Sequence, residues 1–154
     1  MNRLVEHLAI LLVTLWIGAM WAVGYVVAPT LFSALADRGL AGSLAGRMFA
    51  LVAWIGLGSA AYLLLFLTFR LGWQAFRNGL FWTVLLLLLC TLAGQFGIQP
   101  LMAELKASAW PREVMDSVMR DRFATWHGVS SVLYLFQSLL GVALVIGVRR
   151  VVLR

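Results

Sequence analysis

Four predominantly apolar runs decide what this chain can fold into: residues 4–27, 48–69, 79–98 and 127–148. A hydrocarbon core about 30 Å thick needs roughly 20 helical residues at 1.5 Å each, and every run meets that length. None shows the short alternating pattern of a membrane β-barrel strand. A soluble reading fails on composition: 63% of the 154 residues are hydrophobic, 12% are charged, and mean hydropathy is +0.96. A soluble domain is about half apolar and roughly a quarter charged. The expected fold is therefore all-α: one integral membrane domain, a four-helix transmembrane bundle with amphipathic helices in its longer connections. The first run reads as a retained helix rather than a cleaved leader, because Glu6 and His7 interrupt it and its apolar part is too long.

The net charge of +6 sits mostly beside the apolar runs. There it suits lipid headgroups and topology signals, and no nucleic-acid motif accompanies it. Arg3, Arg70, Arg77, Arg149, Arg150 and Arg154 share the side of both termini, with Glu6 the one acid there. Arg38, Arg47, Lys106, Arg112, Arg120 and Arg122 fall on the other side, among five acids. The tally of basic residues ties. The first group is crowded against span ends, so both termini are expected in the cytoplasm of a bacterium, with the chain multi-pass in its inner membrane.

The connections carry signals of their own. Leu31, Leu35, Leu40 and Leu44 give partial helical spacing, with a break expected at Gly39. Pro111, Arg112 and Glu113 resemble a helix first turn, which predicts a surface helix or an extension of the fourth span. Cys90 is the single cysteine, so it reads as a packing or lipid-facing residue.

Polar residues inside the spans are the functional candidates, because burying them in a bilayer is costly. In the fourth span His127, Ser131, Tyr134, Ser138 and Gly141 step by 4, 3, 4 and 3, which is one helical face. In the first, His7, Thr14, Gly18, Trp21 and Tyr25 form a similar line. Ala53, Gly56 and Ala60 share a face of the second span, and Thr83, Cys90 and Gly94 a face of the third, beside Thr91 and Gln95. Such stripes suit helix packing. Up-and-down topology brings His127 to the end of the bundle holding Gln95 and Gln99, near Tyr25 and Thr30, under a segment running from Trp110 to Trp126. A ligand site is expected there, built from His127, Gln95, Gln99, Tyr25 and Trp126. Glu6 and His7 form a smaller polar cluster at the other end. Trp73, Trp82, Trp110 and Trp126 suit interfacial belts, whereas Trp16, Trp21 and Trp54 lie deeper, where they pack or line a pocket.

No nucleophile–base–acid set, paired carboxylates or phosphate loop is present, which points away from an enzyme. No cofactor or metal is expected. A haem held by both histidines together is not expected, since His7 and His127 begin on opposite sides of the bilayer; a haem with His7 or His127 as its ligand is the lesser alternative. The partners expected are the lipid bilayer and an unidentified small molecule, with no nucleic acid. A homo-oligomer or a larger membrane complex would be further partners.

The first span reads LAILLVTLWIGAMWAVGYVVAPTLF, with Trp16, Gly18, Pro29 and Phe32; AGSLAGRMF follows, with Gly46; the fourth opens FATWHGVSS, with His127 and Ser130. In order and spacing these motifs resemble a small bacterial membrane family of unknown function related to eukaryotic transmembrane protein 205. The resemblance implies a four-helix membrane protein and no established chemistry; the eukaryotic relatives are loosely associated with drug resistance and export. Trp16-x-Gly18 is also faintly similar to membrane haem proteins with an upstream histidine, which His7 would supply. The leading expectation is binding or export of a small molecule through a non-cytoplasmic vestibule. The alternatives are a redox protein holding haem or quinone, and an assembly partner of a larger complex.

Overall fold

The computed structural model describes residues 3–109 and 118–152. Among them every regular element is helical. Helix α1 (Arg3–Ala22) widens into a π-helical turn at Val23–Val27 and continues as α2 (Ala28–Ala34). Helix α3 (Arg38–Leu71) runs on through a 3-10 turn at Gly72–Arg77. Helix α4 (Gly79–Leu92) widens at Ala93–Ile98 and continues as α5 (Gln99–Ala109), and α6 (Arg120–Val152) closes the bundle. These elements make four rods long and apolar enough to span a membrane. The spans expected at 4–27, 48–69, 79–98 and 127–148 lie inside them, each rod reaching further than its apolar run.

Both π-helical turns have the same local cause. Pro29 follows the first and Pro100 the second. Proline has no N–H to donate to the carbonyl four residues back, and its ring collides with that carbonyl. Widening the preceding turn relieves the collision while the rod stays continuous. Two of the three prolines in the chain thus set a bulge, one in the first rod and one in the third.

The first connection is shorter and more helical than the sequence suggests. The expected break at Gly39 falls instead at Leu35, where the backbone is extended, and α3 restarts at Arg38. Asp37 sets that restart: its Oδ1 accepts the Leu40 N–H at 2.9 Å, an N-cap that outweighs the weak helix propensity of Gly39. At the other end of α3, Gly72 has φ +53°, a conformation that favours glycine, and turns the chain. Asn78 then caps α4 by accepting the Leu80 N–H at 2.9 Å. The fourth rod starts at Arg120, so the segment before His127 extends the span. The helix start expected at Pro111–Glu113 and the roof expected from Trp110 onward fall largely outside the described residues.

The four rods pack in a ring, α1 and α4 each lying against both α3 and α6. The core runs along their shared axis. Ala9, Val13, Trp16, Ile17 and Met20 of α1 meet Val52, Ala60, Leu63 and Leu67 of α3, Val84 and Leu87 of α4, and Leu144 and Val148 of α6. Small residues let the backbones approach: a Cβ on Gly141 would come within 3.1 Å of Ile17. The outside is apolar too. Phe69 is 82% exposed and Val132 70%, and at most 39% of any apolar window is buried. A bundle in water would turn such faces inward.

One expected seam and one tryptophan are placed differently. In α1 the buried face is the one through Val13, Trp16 and Met20, so His7, Thr14 and Gly18 point outward. Trp54 is 57% exposed and meets Phe96 edge-on at 6.0 Å, on the outer surface rather than in a pocket. Trp73 and Trp82 are exposed beside Phe76 and Phe81 at the tight turn, as an interfacial belt requires.

Candidate functional site

At the end of the bundle where α1 and α4 finish and α6 begins, the rods separate around a cavity of about 440 Å3. The separation has a local origin. Both π-helical turns lie at this level and put Gly24, Tyr25, Gly94 and Gln95 on its wall. Widened turns recur at functional sites because they re-aim side chains that a regular helix would send elsewhere.

The polar lining divides into two sets. The first is bonded within the protein. Tyr25 donates its hydroxyl to Ser138 Oγ at 2.9 Å, and Tyr134 donates to the Met20 carbonyl, which holds α6 against α1. Gln137 Nε2 donates to Thr91 Oγ1 at 3.1 Å, and the Thr91 hydroxyl donates to the Leu87 carbonyl, which ties α6 to α4. Ser131 donates to the His127 carbonyl one turn back. The lower seam of the fourth span, Tyr134, Ser138 and Gly141, is therefore packing.

The second set is unbonded. The carboxamides of Gln95 and Gln99, the imidazole of His127 and the hydroxyl of Ser130 all line the cavity, and none has a hydrogen-bond partner among the described residues. A half-buried amide without a partner wastes interaction energy unless water or a ligand supplies one. The His127 ring is held by stacking on Phe123, centroids 6.0 Å apart and planes within 9°. Lys106 Nζ lies 5.7 Å from the same Phe123 ring.

Apolar groups fill the remaining wall: Trp16, Met20, Phe32, Phe49, Val52 and Leu133 among them. No Asp, Glu, Lys or Arg lines the cavity among the described residues. A concave apolar pocket with a few converging polar groups is the usual form of a small-molecule site.

The structure brings together His127, Gln95, Gln99 and Tyr25, four of the five residues expected at a ligand site. Trp126 does not line the cavity, and neither does Thr30, whose hydroxyl donates to the Val26 carbonyl. Of the motif residues, Trp16, Pro29, Phe32 and Ser130 reach the wall, whereas Gly18 and Gly46 face open space. Cys90 lines the cavity rather than facing lipid alone. The sequence reading missed Gln137 and Thr91 as a pair, and Phe49 at the wall. A polar pair on facing spans at matching depth was the available signal.

The second polar cluster dissolves. Glu6 pairs with Arg70 across α1 and α3, beside Tyr62, whose hydroxyl donates to the Val5 carbonyl at 2.9 Å. His7 points away, onto the outer face with Leu4, Leu8 and Leu11. The reason is helical geometry: neighbouring residues diverge by about 100° around a helix, so Glu6 and His7 cannot share a face. Among the described residues, no group of three metal-ligating side chains converges anywhere.

No curated protein and no solved structure matches the chain at a significant level. A family model does, over residues 11–111, from the middle of α1 to just past α5. That stretch holds Tyr25, Gln95 and Gln99, and α6 with His127 follows it. The chain belongs to the family described as Domain of unknown function (DUF4149).

Proposed function

We propose that this chain is an integral, multi-pass membrane protein that binds a small molecule in the cavity at His127, as part of holding or exporting it. The observation that carries the reading is the unbonded set: Gln95, Gln99, His127 and Ser130 converge on one cavity without hydrogen-bond partners among the described residues. Packing alone does not require this, since the seam below satisfies its hydroxyls internally. In the proposed orientation both termini are cytoplasmic in a bacterial inner membrane, so the cavity opens on the non-cytoplasmic half. The kinship with transmembrane protein 205, drawn from the motifs around Trp16, Pro29 and His127, belongs to the same proposal and fits a role in export.

A thermal-shift screen of small molecules on the purified protein tests the reading. Ligands that raise Tm should lose their effect in His127→Ala and in Gly94→Leu, which fills open space next to Leu133. Both variants should be recovered folded from the membrane in normal amount. Loss of His127→Ala from the membrane would instead assign that residue to folding.

A further inference from the structure

We infer that the ligand enters the cavity with an uncharged, hydrogen-bonding head: an amphiphile whose polar end is an amide or hydroxyl rather than an ion. The inference rests on the binding reading above and narrows it to a chemical class.

Three observations carry it. The first is the chemistry of the unbonded groups. Each of the two carboxamides offers a donor and an acceptor, an imidazole in its neutral form offers one of each, and the hydroxyl offers both. Such a set complements a head that both donates and accepts. A carboxylate or phosphate would leave the amide oxygens facing an anion, and an ammonium would leave every donor unused.

The second is the absence of compensation. A full charge moved into an apolar wall costs several kcal/mol unless a counter-charge meets it. No ionisable side chain other than His127, Cys90 and the two tyrosines lines the cavity among the described residues. Lys106 is a candidate counter-charge at this end of the bundle. It lies over the Phe123 ring and outside the lining.

The third is the graded wall. The free polar groups gather where α6 begins, at His127 and Ser130, and where α4 passes into α5, at Gln95 and Gln99. Further along the bundle the wall becomes Trp16, Met20 and Val52, where a short apolar tail finds mainly apolar contact. The occupant therefore lies along the bundle, head at the His127 end and tail inward.

A matched series of probes tests the class: decanamide, decanoate and decylamine share one tail and differ in the charge of the head. Each is added to the full-length protein in nanodiscs, and Tm is read against undosed protein. Decanamide should raise Tm by ~5 °C at a hundred-fold excess over its Kd. The shift should vanish in Gln99→Leu and fall in Ser130→Ala, while decanoate and decylamine produce none. An equal or larger shift with decanoate would overturn the uncharged head while leaving the cavity as a site; loss of that shift in Lys106→Gln would assign the anion to the lysine. An equal shift with decylamine would overturn the inference in the same way. If no probe moves Tm in the unmodified protein, the binding reading falls together with the inference. An amide shift unchanged in Gln99→Leu and Ser130→Ala would place the probe elsewhere and overturn the assignment of its head.

Discussion

The indole of Trp16 lies against the bare backbone of Gly56, so closely that a Cβ on that glycine would overlap the ring nitrogen. This approach joins α1 to α3 directly beneath the cavity, and the same indole forms part of the cavity wall. One packing decision thereby serves both the fold and the site.

Gly56→Ala should destabilise the bundle by ~1–3 kcal/mol, the usual cost of overpacking, despite the helix propensity gained. Gly18→Ala is the control. Nothing lies within 4 Å of the position its Cβ would take, so that variant should be neutral or gain up to ~1 kcal/mol. Unfolding in detergent, followed by loss of near-UV signal, separates the two. A Gly56→Ala protein as stable as Gly18→Ala would mean that the indole has room to move.

Tyr25 and Ser138 should behave as one unit. Tyr25→Phe and Ser138→Ala each remove the same interhelical hydrogen bond, worth about 1 kcal/mol in a membrane bundle. The double variant should lose little more than either single change. Strict additivity in that cycle would show the 2.9 Å contact to be energetically idle.

Orientation is open to a direct reading. A fluorescent-protein fusion after Arg154 should be bright and an alkaline phosphatase fusion there inactive, because both termini are expected on the cytoplasmic side. The opposite pattern would move the His127 cavity to the cytoplasmic half.

The architecture was legible because membrane crossing depends on length and hydropathy, which a sequence carries openly. The meeting of His127, Gln95, Gln99 and Tyr25 followed from counting crossings. What failed was azimuth. The line through His7, Thr14 and Gly18 has perfectly good helical spacing, yet Val13, Trp16 and Met20 won the inner face through larger burial and the space at Gly56. Apolar residues surround each helix, so the hydrophobic pattern cannot say which face turns inward. Glu6 was placed at the correct end and given the wrong neighbour, because its partner Arg70 is distant in sequence. The break at Leu35 was missed for a different reason: the cap at Asp37 is a local contest between a side-chain acceptor and a flexible glycine.

The widened turns before Pro29 and Pro100 have a consequence in the arithmetic of chain length. Each holds one residue more than a regular turn, so everything beyond it is rotated by about 100° relative to an unbroken helix. The packed stem and the cavity wall of the same rod are therefore in different phases. A one-residue deletion within 23–27 or 93–98 would bring them back into phase. The stem would keep its contacts while Tyr25 or Gln95 swung off the wall, so loss of a single codon should dismantle the cavity wall and still leave the bundle assembled.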